Sequence, residues 1–197
     1  MIFYFLTHIA TSQFVTYGSA VQLKGLFTKN RLTVEINQTS FLPVINSKRP
    51  PYNDGWYWVI EPANETQECT RKPVLCGDDV TLHNPVFSYY ITTGEQEIGF
   101  ITATKLANNE GKSEWQIVCD GRTKYWEQDS AIQFYNKKEK CYLQSGFEPV
   151  TSNDEEINAY KVSCQKRYSK ETQWRSAEGI YLDDQPISEM YAKSPRN

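Results

Sequence analysis

The sequence has few residues of the kinds that build catalytic centres. It contains only two histidines and no glycine-rich phosphate loop, His-Glu-x-x-His, Gly-x-Ser-x-Gly or EF-hand motif. His8 lies in an apolar N-terminal segment, and His83 lies beside a turn, where a histidine is more often a surface residue than a general base. The paired carboxylates at 78–79 and 183–184 lie in a turn and in the tail. We therefore expect a protein that is not an enzyme and that needs no metal or cofactor.

The sequence also lacks a long apolar run and a strong charge of either sign. No stretch approaches the ~20 apolar residues of a membrane-spanning helix. The formal net charge is −3, and the basic residues are scattered along the chain. This distribution gives no indication of binding to nucleic acid or acidic lipid. The aromatic content is high, with 13 Tyr, 9 Phe and 5 Trp against 2 Met, which favours strands over helices.

A segment with a turn, an alternating strand and a closing tryptophan occurs three times. The first copy begins at 18–23, the second at 77–85 and the third at 129–134. The closing tryptophans Trp58, Trp115 and Trp174 are separated by 57 and 59 residues. Internal repetition of this kind is the primary evidence for architecture.

Each repeat contains short alternating segments that predict about four strands. The proline-rich segment 43–55 predicts a loop, and 146–156 predicts an inserted loop. Three such repeats predict an all-β fold, the β-trefoil, in which a six-stranded barrel is capped by three hairpins. Closure of the barrel removes the unpaired strand edges that otherwise promote aggregation. The three tryptophans are expected to fill equivalent core positions.

Both ends of the sequence differ from the repeats. Residues 1–12 contain a short apolar stretch that ends in Ala10-Thr11-Ser12, which fits a signal peptide and its small-residue cleavage site. An N-terminal strand packed on the barrel is the alternative interpretation. Residues 183–197 contain two prolines and few apolar residues, which predicts a flexible tail. The trefoil domain is therefore expected over residues 13–182.

The cysteine pattern favours disulfides over a metal site. The five cysteines include no Cys-x-x-Cys pair, and no histidine lies at ligand spacing. Cys76 precedes the second repeat and Cys119 follows its closing tryptophan, so folding is expected to bring them together. Cys141 and Cys164 lie within the third repeat and are candidates for a second bridge, which would leave Cys69 as a free thiol. Five buried thiols in a cytosolic protein remain the alternative, because connectivity does not follow from sequence.

Asn37 and Asn64 begin two Asn-x-Thr sequons, which are candidate glycosylation sites. The leader, the cysteines and the sequons together favour the endoplasmic reticulum lumen or secretion over the cytosol.

Several motifs carry a resemblance to a known family. The sequence EWQIVCDG at 114–121, followed by Tyr125-Trp126, resembles the D-W-x-V-x-C-N-G…W segment of stromal-cell-derived factor 2-like proteins, which contain three MIR repeats. The sequence WRSAEGIY at 174–181 resembles their terminal W-x-x-x-E-G-I-Y. Cys76-Gly77 resembles their C-G opening, and Gln96-Glu97 resembles their N-Q-E-V turn. The resemblance covers about residues 15–182, with Tyr17 at a position where the family usually carries a cysteine.

The resemblance implies a lumenal β-trefoil of MIR repeats without catalytic activity. It implies an accessory role in protein folding or quality control, through binding to unfolded polypeptides, a lumenal chaperone or a J-domain co-chaperone. A carbohydrate-binding trefoil that recognises O-mannosyl or other glycans is the alternative function. A secreted effector or cytokine-like ligand is a third. The candidate residues for a binding surface are His83, Tyr89, Tyr90, Gln96, Glu97 and Trp126, with Tyr57 as a further exposed aromatic.

Overall fold

The computed structural model describes residues 14–37, 43–49, 54–64, 71–94, 101–107, 110–150 and 159–182. Repeat 1 forms β1 (Ala20–Gly25), β2 (Arg31–Ile36), β3 (Pro43–Lys48) and β4 (Tyr57–Pro62). Repeat 2 forms β5 (Asp79–Asn84), β6 (Tyr89–Thr93), β7 (Ile101–Thr104) and β8 (Trp115–Cys119). Repeat 3 forms β9 (Ile132–Asn136), β10 (Cys141–Pro149), β11 (Ala159–Gln165) and β12 (Trp174–Ile180). Two short 3-10 helices, Asp54–Trp56 and Lys170–Thr172, precede the last strands of repeats 1 and 3.

The first and last strands of the three repeats close into a barrel. Strand β1 pairs with β4, β4 with β5, β5 with β8, β8 with β9, β9 with β12, and β12 with β1, all antiparallel. The two middle strands of each repeat form the hairpins β2–β3, β6–β7 and β10–β11. This arrangement is the β-trefoil, as the repeats predicted. The closed ring has no free edge, which removes a common route to aggregation.

The closing tryptophans anchor each hairpin to the barrel in the same way. Trp58, Trp115 and Trp174 are fully buried. Their indole Nε1 groups donate hydrogen bonds to the backbone carbonyls of Leu32 (3.1 Å), Ile91 (3.2 Å) and Leu143 (2.9 Å), each on the second strand of the repeat. A buried indole N–H needs such a partner, and the apolar ring fills the barrel around it. The prediction that these residues occupy equivalent core positions is confirmed.

The turn after the first strand of each repeat also has a common geometry. Lys29, Ser88 and Lys140 have φ values of 63°, 53° and 53°. Each lies four residues beyond the last residue of the first strand, which is Gly25, Asn84 or Asn136. Non-glycine residues occupy this left-handed region rarely and at some energetic cost. Its recurrence at the same offset gives the register for comparing the three repeats.

The far end of the barrel is closed by a triangle of hydrogen bonds. The Val15 N–H donates to the Trp126 carbonyl, the Trp126 N–H to the Val74 carbonyl, and the Val74 N–H to the Val15 carbonyl, each at 2.9 Å. All three side chains are fully buried. The segments before the three repeats therefore meet on the pseudo-three-fold axis and seal the core.

Two predicted loops were wrong. The segment from Pro43 was expected to be a loop, yet it begins strand β3, which pairs with β2 and β11. Proline is tolerated there because it is the first residue of the strand. The segment from Gly146 was also expected to be a loop, yet Gly146 to Pro149 belong to β10, and residues 151–156 lie outside the described residues. The predicted leader, residues 1–12, and the predicted tail, residues 183–197, lie outside the described residues.

Candidate functional site

The structure joins four of the predicted cysteines in two disulfides. Cys76 bonds to Cys119 and Cys141 bonds to Cys164, with Cα–Cα distances of 5.6 and 5.4 Å. Both pairs match the expected connectivity. The first fastens the beginning of repeat 2 to its end, and the second links the two strands of the third hairpin. Cys69, the predicted free thiol, lies outside the described residues.

The candidate glycosylation sites are accessible. Asn37 follows β2 and Asn64 follows β4, and both residues are exposed. Glycosylation at either position remains a prediction.

His83 and Tyr90 form a stacked pair on the outer face of repeat 2. They are direct cross-strand partners on β5 and β6, with ring centroids 4.4 Å apart and planes 11° apart. His83 Nδ1 lies 3.0 Å from Glu61 Oε1, which orients the imidazole. The side chains of His83 and Glu61 are 21% and 26% exposed. The result is a partly exposed aromatic ledge beside a carboxylate.

The remaining surface candidates are less coherent. Tyr89 is half-buried, with the Lys105 ammonium 5.7 Å from its ring centroid. Tyr57 is 38% exposed. Gln96 and Glu97 lie outside the described residues. Trp126 does not belong to a surface at all: its side chain is fully buried at the sealed end of the barrel, because it occupies the same position in the hydrogen-bonded triangle as two valines.

A second aromatic pair lies at the matching position of repeat 3 and was not predicted. Tyr135 and Tyr142 are cross-strand partners on β9 and β10, with ring centroids 4.9 Å apart. Like His83 and Tyr90, they are half-buried on the outside of the barrel. Alignment of the repeats could have predicted this pair, because Tyr135 precedes Asn136 as His83 precedes Asn84.

A small apolar pocket lies among the three hairpins, at the end of the barrel opposite the sealed one. It encloses about 270 Å³. Six strand residues form its apolar wall: Pro43, Val44, Ile45, Ile101, Pro149 and Val162, with Val150, which follows β10, at the margin. Glu148 and Lys161 lie at the opening of the pocket, with Lys161 Nζ 3.7 Å from Glu148 Oε2. Ligand sites for whole small molecules begin at roughly 300 Å³, so this pocket suits one or two side chains.

Sequence reasoning did not find this hairpin pocket because its residues come from all three repeats. Strand β3 reaches it from repeat 1, β7 from repeat 2, and β10 and β11 from repeat 3. The pairing of β3 with β11, and the packing of β7 against both, bring these distant segments together.

Two further observations bear on the kind of site. Over the described ranges, no three His, Cys, Asp or Glu side chains are grouped so that they could hold a metal ion. Among the same residues, no helix is long and apolar enough to cross a bilayer.

The fold matches solved structures, although no protein-family model and no curated protein matches the sequence. The SDF2-like protein of Arabidopsis thaliana superposes with a TM-score of 0.74 and 22% identity, over 86% of this chain and 98% of that one. The chain has the fold of an SDF2-like protein.

Two more distant similarities extend this result. The S. cerevisiae protein O-mannosyltransferase Pmt1–Pmt2 complex, bound to its sugar donor, matches with a TM-score of 0.69 and 14% identity. The match covers 95% of this chain but 30% of that one. SeviL bound to the asialo-GM1 saccharide matches with a TM-score of 0.52 and 11% identity, over 81% of this chain and 96% of that one. At these identities the similarity concerns the fold.

Proposed function

We propose that this chain is an SDF2-like MIR-repeat protein of the secretory pathway that binds polypeptides without catalysing a reaction. Its partners would be unfolded clients or a J-domain co-chaperone, and its role would be accessory to protein folding and quality control. The observation that carries the proposal is the hairpin pocket, an apolar recess of side-chain size.

The chemistry of the pocket favours a polypeptide. Val44 and Val150 are half-buried, so an inserted apolar side chain would cover surface that is still in contact with water. Complete burial of one Leu- or Phe-sized side chain stabilises by about 1.5–3 kcal/mol. At the opening of the pocket, the Glu148 carboxylate can accept a hydrogen bond from a peptide N–H, and the Lys161 ammonium can donate one to a peptide carbonyl.

The disulfides support a location in the endoplasmic reticulum lumen or outside the cell. Disulfides persist in oxidising compartments and are rare in the cytosol. The exposed sequons at Asn37 and Asn64 are consistent with the same route.

Suppression of client aggregation tests the proposal. Purified protein is expected to slow the aggregation of a reduced, denatured model protein, followed by light scattering. The double variant Val44→Glu/Val150→Glu should abolish the effect, because it places two charges in the recess. The matched control is Val86→Glu, since Val86 is 54% exposed in the turn after β5, away from the pocket. Wild-type protein that does not suppress aggregation, or a double variant that still does, would contradict the proposal.

Affinity capture separates the two kinds of polypeptide partner. Tagged protein would be recovered from the secretory pathway of its own cells, with the pocket variant in parallel. A single stoichiometric partner with a J-domain indicates the co-chaperone, and a heterogeneous set of nascent proteins indicates clients.

Glycan binding is the second candidate function, and the ledge of Glu61, His83 and Tyr90 favours it. Sugar rings stack on aromatic faces, and a neighbouring carboxylate can accept hydrogen bonds from their hydroxyls. The fold shared with a saccharide-bound lectin, SeviL, is consistent with this use. A glycan array should then give signals that are lost in the Tyr90→Ala variant. The Tyr142→Ala variant tests whether the tyrosine pair of repeat 3 also contributes to these signals. An array without signal at high protein concentration would exclude this function.

A further inference from the structure

Four cations lie side by side across four neighbouring strands, two of the barrel and two of the first hairpin; Arg31 is buried and the other three are half-buried. Lys24 on β1 is the cross-strand partner of Arg175 on β12 and of Arg31 on β2. Arg31 is in turn the partner of Lys48 on β3. Directly opposed residues share one face of a sheet. We call this set, in spatial order Arg175, Lys24, Arg31 and Lys48, the basic row.

The row is costly to the fold and is not required by it. Neighbouring strands are about 4.8 Å apart, and like charges directly opposite one another destabilise a sheet. The repeat register places Lys24 and Arg31 where repeat 2 has His83 and Tyr90, and where repeat 3 has Tyr135 and Tyr142. The same scaffold therefore carries aromatic rings at these positions in the other two repeats. The row also stands out against a net charge of −3 for the whole chain.

Counter-charges balance Arg31 and Lys48 better than they balance Arg175 and Lys24. Arg31 donates to Glu178 at 2.8 Å, and Lys48 is paired with Glu35 at 2.5 Å. Among the described residues, Arg175 has a longer contact, 3.6 Å to the exposed Asp129.

Lys24, the second residue of the row, lacks a counter-charge of its own. In the part of the chain that the structure describes, it has no acidic partner within the 4.0 Å of an ion pair. Partial burial lowers the pKa of Lys24, and the nearby positive charges of Arg175, Arg31 and Lys29 lower it further, against a smaller opposing effect of Glu178. An anion held at this point would relieve the repulsion between the cations.

Exposed aromatic rings flank the row at the turn between its two central strands. Phe27, three residues beyond Lys24, is 47% exposed, and Phe147 is 52% exposed. Their ring centroids are 5.3 Å apart in an edge-to-face arrangement. A surface that combines a line of cations with exposed apolar rings complements a ligand that carries both carboxylates and an apolar group.

We propose that the basic row binds an acidic polypeptide segment in an extended conformation, with carboxylates on Lys24 and Arg175 and an apolar side chain on the Phe27–Phe147 pair. Four strands span roughly 15 Å, the length of about five extended residues. A polypeptide fits better than a sulfated sugar because one peptide carries both carboxylates and a wholly apolar side chain, whereas every ring of a sulfated sugar bears polar groups. The proposal rests on the proposed function for the class of ligand, but it concerns a different surface from the hairpin pocket.

Fluorescence anisotropy with a labelled synthetic peptide tests the proposal. The probe alternates glutamate with serine and ends in phenylalanine, and the control peptide has glutamine in place of every glutamate. The folded protein should bind the glutamate peptide and not the glutamine peptide. Binding should weaken as salt shortens the Debye length below about 8 Å. Equal affinity for the two peptides, or no binding of either, would overturn the proposal.

Four variants assign the binding to the row. Lys24→Gln and Arg175→Gln should each lower the affinity about tenfold, the loss expected for one charge-assisted hydrogen bond. Lys24→Arg should keep the affinity because it keeps the charge. Lys166→Gln, which removes an exposed charge outside the row, should have no effect on binding. Unchanged affinity in both Lys24→Gln and Arg175→Gln would overturn the proposal.

A stability measurement excludes a purely structural role for Lys24. Lys24→Gln should unfold at the same or a higher denaturant concentration than wild type while it loses affinity. A variant that loses affinity because it unfolds more easily would contradict the assignment.

Heparin serves as the competing probe. Row-dependent binding of heparin without binding of the glutamate peptide would mean that the site takes sulfated glycans, and the proposal would be wrong. Failure of the proposed function is distinguishable, because it would appear in the Val44→Glu/Val150→Glu aggregation assay and leave peptide binding to the row unchanged.

Discussion

The three repeats are alike at core positions of the barrel and differ at the matching surface positions. Inside, the three repeats are nearly interchangeable: Trp58, Trp115 and Trp174 each donate to a backbone carbonyl of the second strand. Outside, the matching positions have become two cations in repeat 1, a histidine–tyrosine stack in repeat 2 and a tyrosine pair in repeat 3. The repeated residues specify the fold, and the positions that differ are free to carry function. This division predicts that inner and outer substitutions have very different effects.

The largest effect is expected from truncation of a closing tryptophan. Trp115→Ala should cost about 3–5 kcal/mol of unfolding free energy, since it empties the core and leaves the Ile91 carbonyl without its donor. Trp58→Ala and Trp174→Ala should cost similar amounts. Urea unfolding measures the free energy of unfolding of all three variants. Where an alanine variant does not fold, the corresponding Trp→Phe variant replaces it, with an expected cost of about 1–3 kcal/mol. A large difference in unfolding free energy among the three variants would show that the closing tryptophans are not equivalent.

Removal of the disulfides should have the next largest effect. The Cys76–Cys119 bond closes a sequence separation of 43 residues and the Cys141–Cys164 bond one of 23. Chain entropy gives a stabilisation of about 4 and about 3.5 kcal/mol respectively. The double serine variants, compared by thermal unfolding, should therefore be similar, with the first slightly less stable. A bridge whose removal costs nothing would show that its loop is already constrained in the unfolded chain.

A smaller effect should come from making the turns before the first strands identical. Gly18 and Gly77 have φ values of 85° and 101°, and repeat 3 has Asp129 at the same position with φ of 58°. Asp129→Gly should stabilise by about 0.5–1 kcal/mol, because glycine adopts this conformation without strain. The exposed ion pair with Arg175, lost in the variant, is worth little. A destabilised Asp129→Gly protein would mean that Asp129 has a structural role of its own.

The smallest effect is expected at Lys24. Because its pKa is lowered in the folded state, the native protein is penalised for holding this proton wherever the pH lies below the folded pKa. Lys24→Gln should therefore be slightly more stable than wild type at neutral pH, by about 0.5 kcal/mol or less. The difference should vanish as the pH rises through the folded pKa toward 10.5, the ordinary value for lysine. Unfolding midpoints measured at pH 7 and above pH 10 check the sign, and a difference that grows with pH would contradict it.

The inner half of this comparison could be predicted from the sequence, whereas of the outer half only the residues of the His83–Tyr90 pair were predicted. Tryptophans at a regular spacing and cysteines at the ends of a repeat are local signals, so the trefoil and both disulfides were foreseen. Strand β3 was missed because prolines at 43, 50 and 51 indicate a loop.

The basic row was missed for a different reason. Its cations are at positions 24, 31, 48 and 175, which look scattered along the chain. The pairing of β1, β2 and β3 brings three of them together, and Arg175 joins them only when β12 pairs with β1 and closes the barrel. The hairpin pocket likewise needs β3 and β11 side by side. Trp126 was misplaced because an aromatic residue in a connecting segment suggests exposure, whereas this segment seals the barrel.

An NMR titration tests the central claim most directly. Isotope-labelled protein would be titrated with the glutamate peptide while the backbone amide resonances are followed. We expect the amide chemical shifts of Lys24, Arg175 and their strand neighbours to change. The indole N–H resonances of the three closing tryptophans should stay unchanged. Changes confined to the outer faces of repeats 2 and 3, around His83 and Tyr142, or changes at the tryptophan indoles, would contradict it.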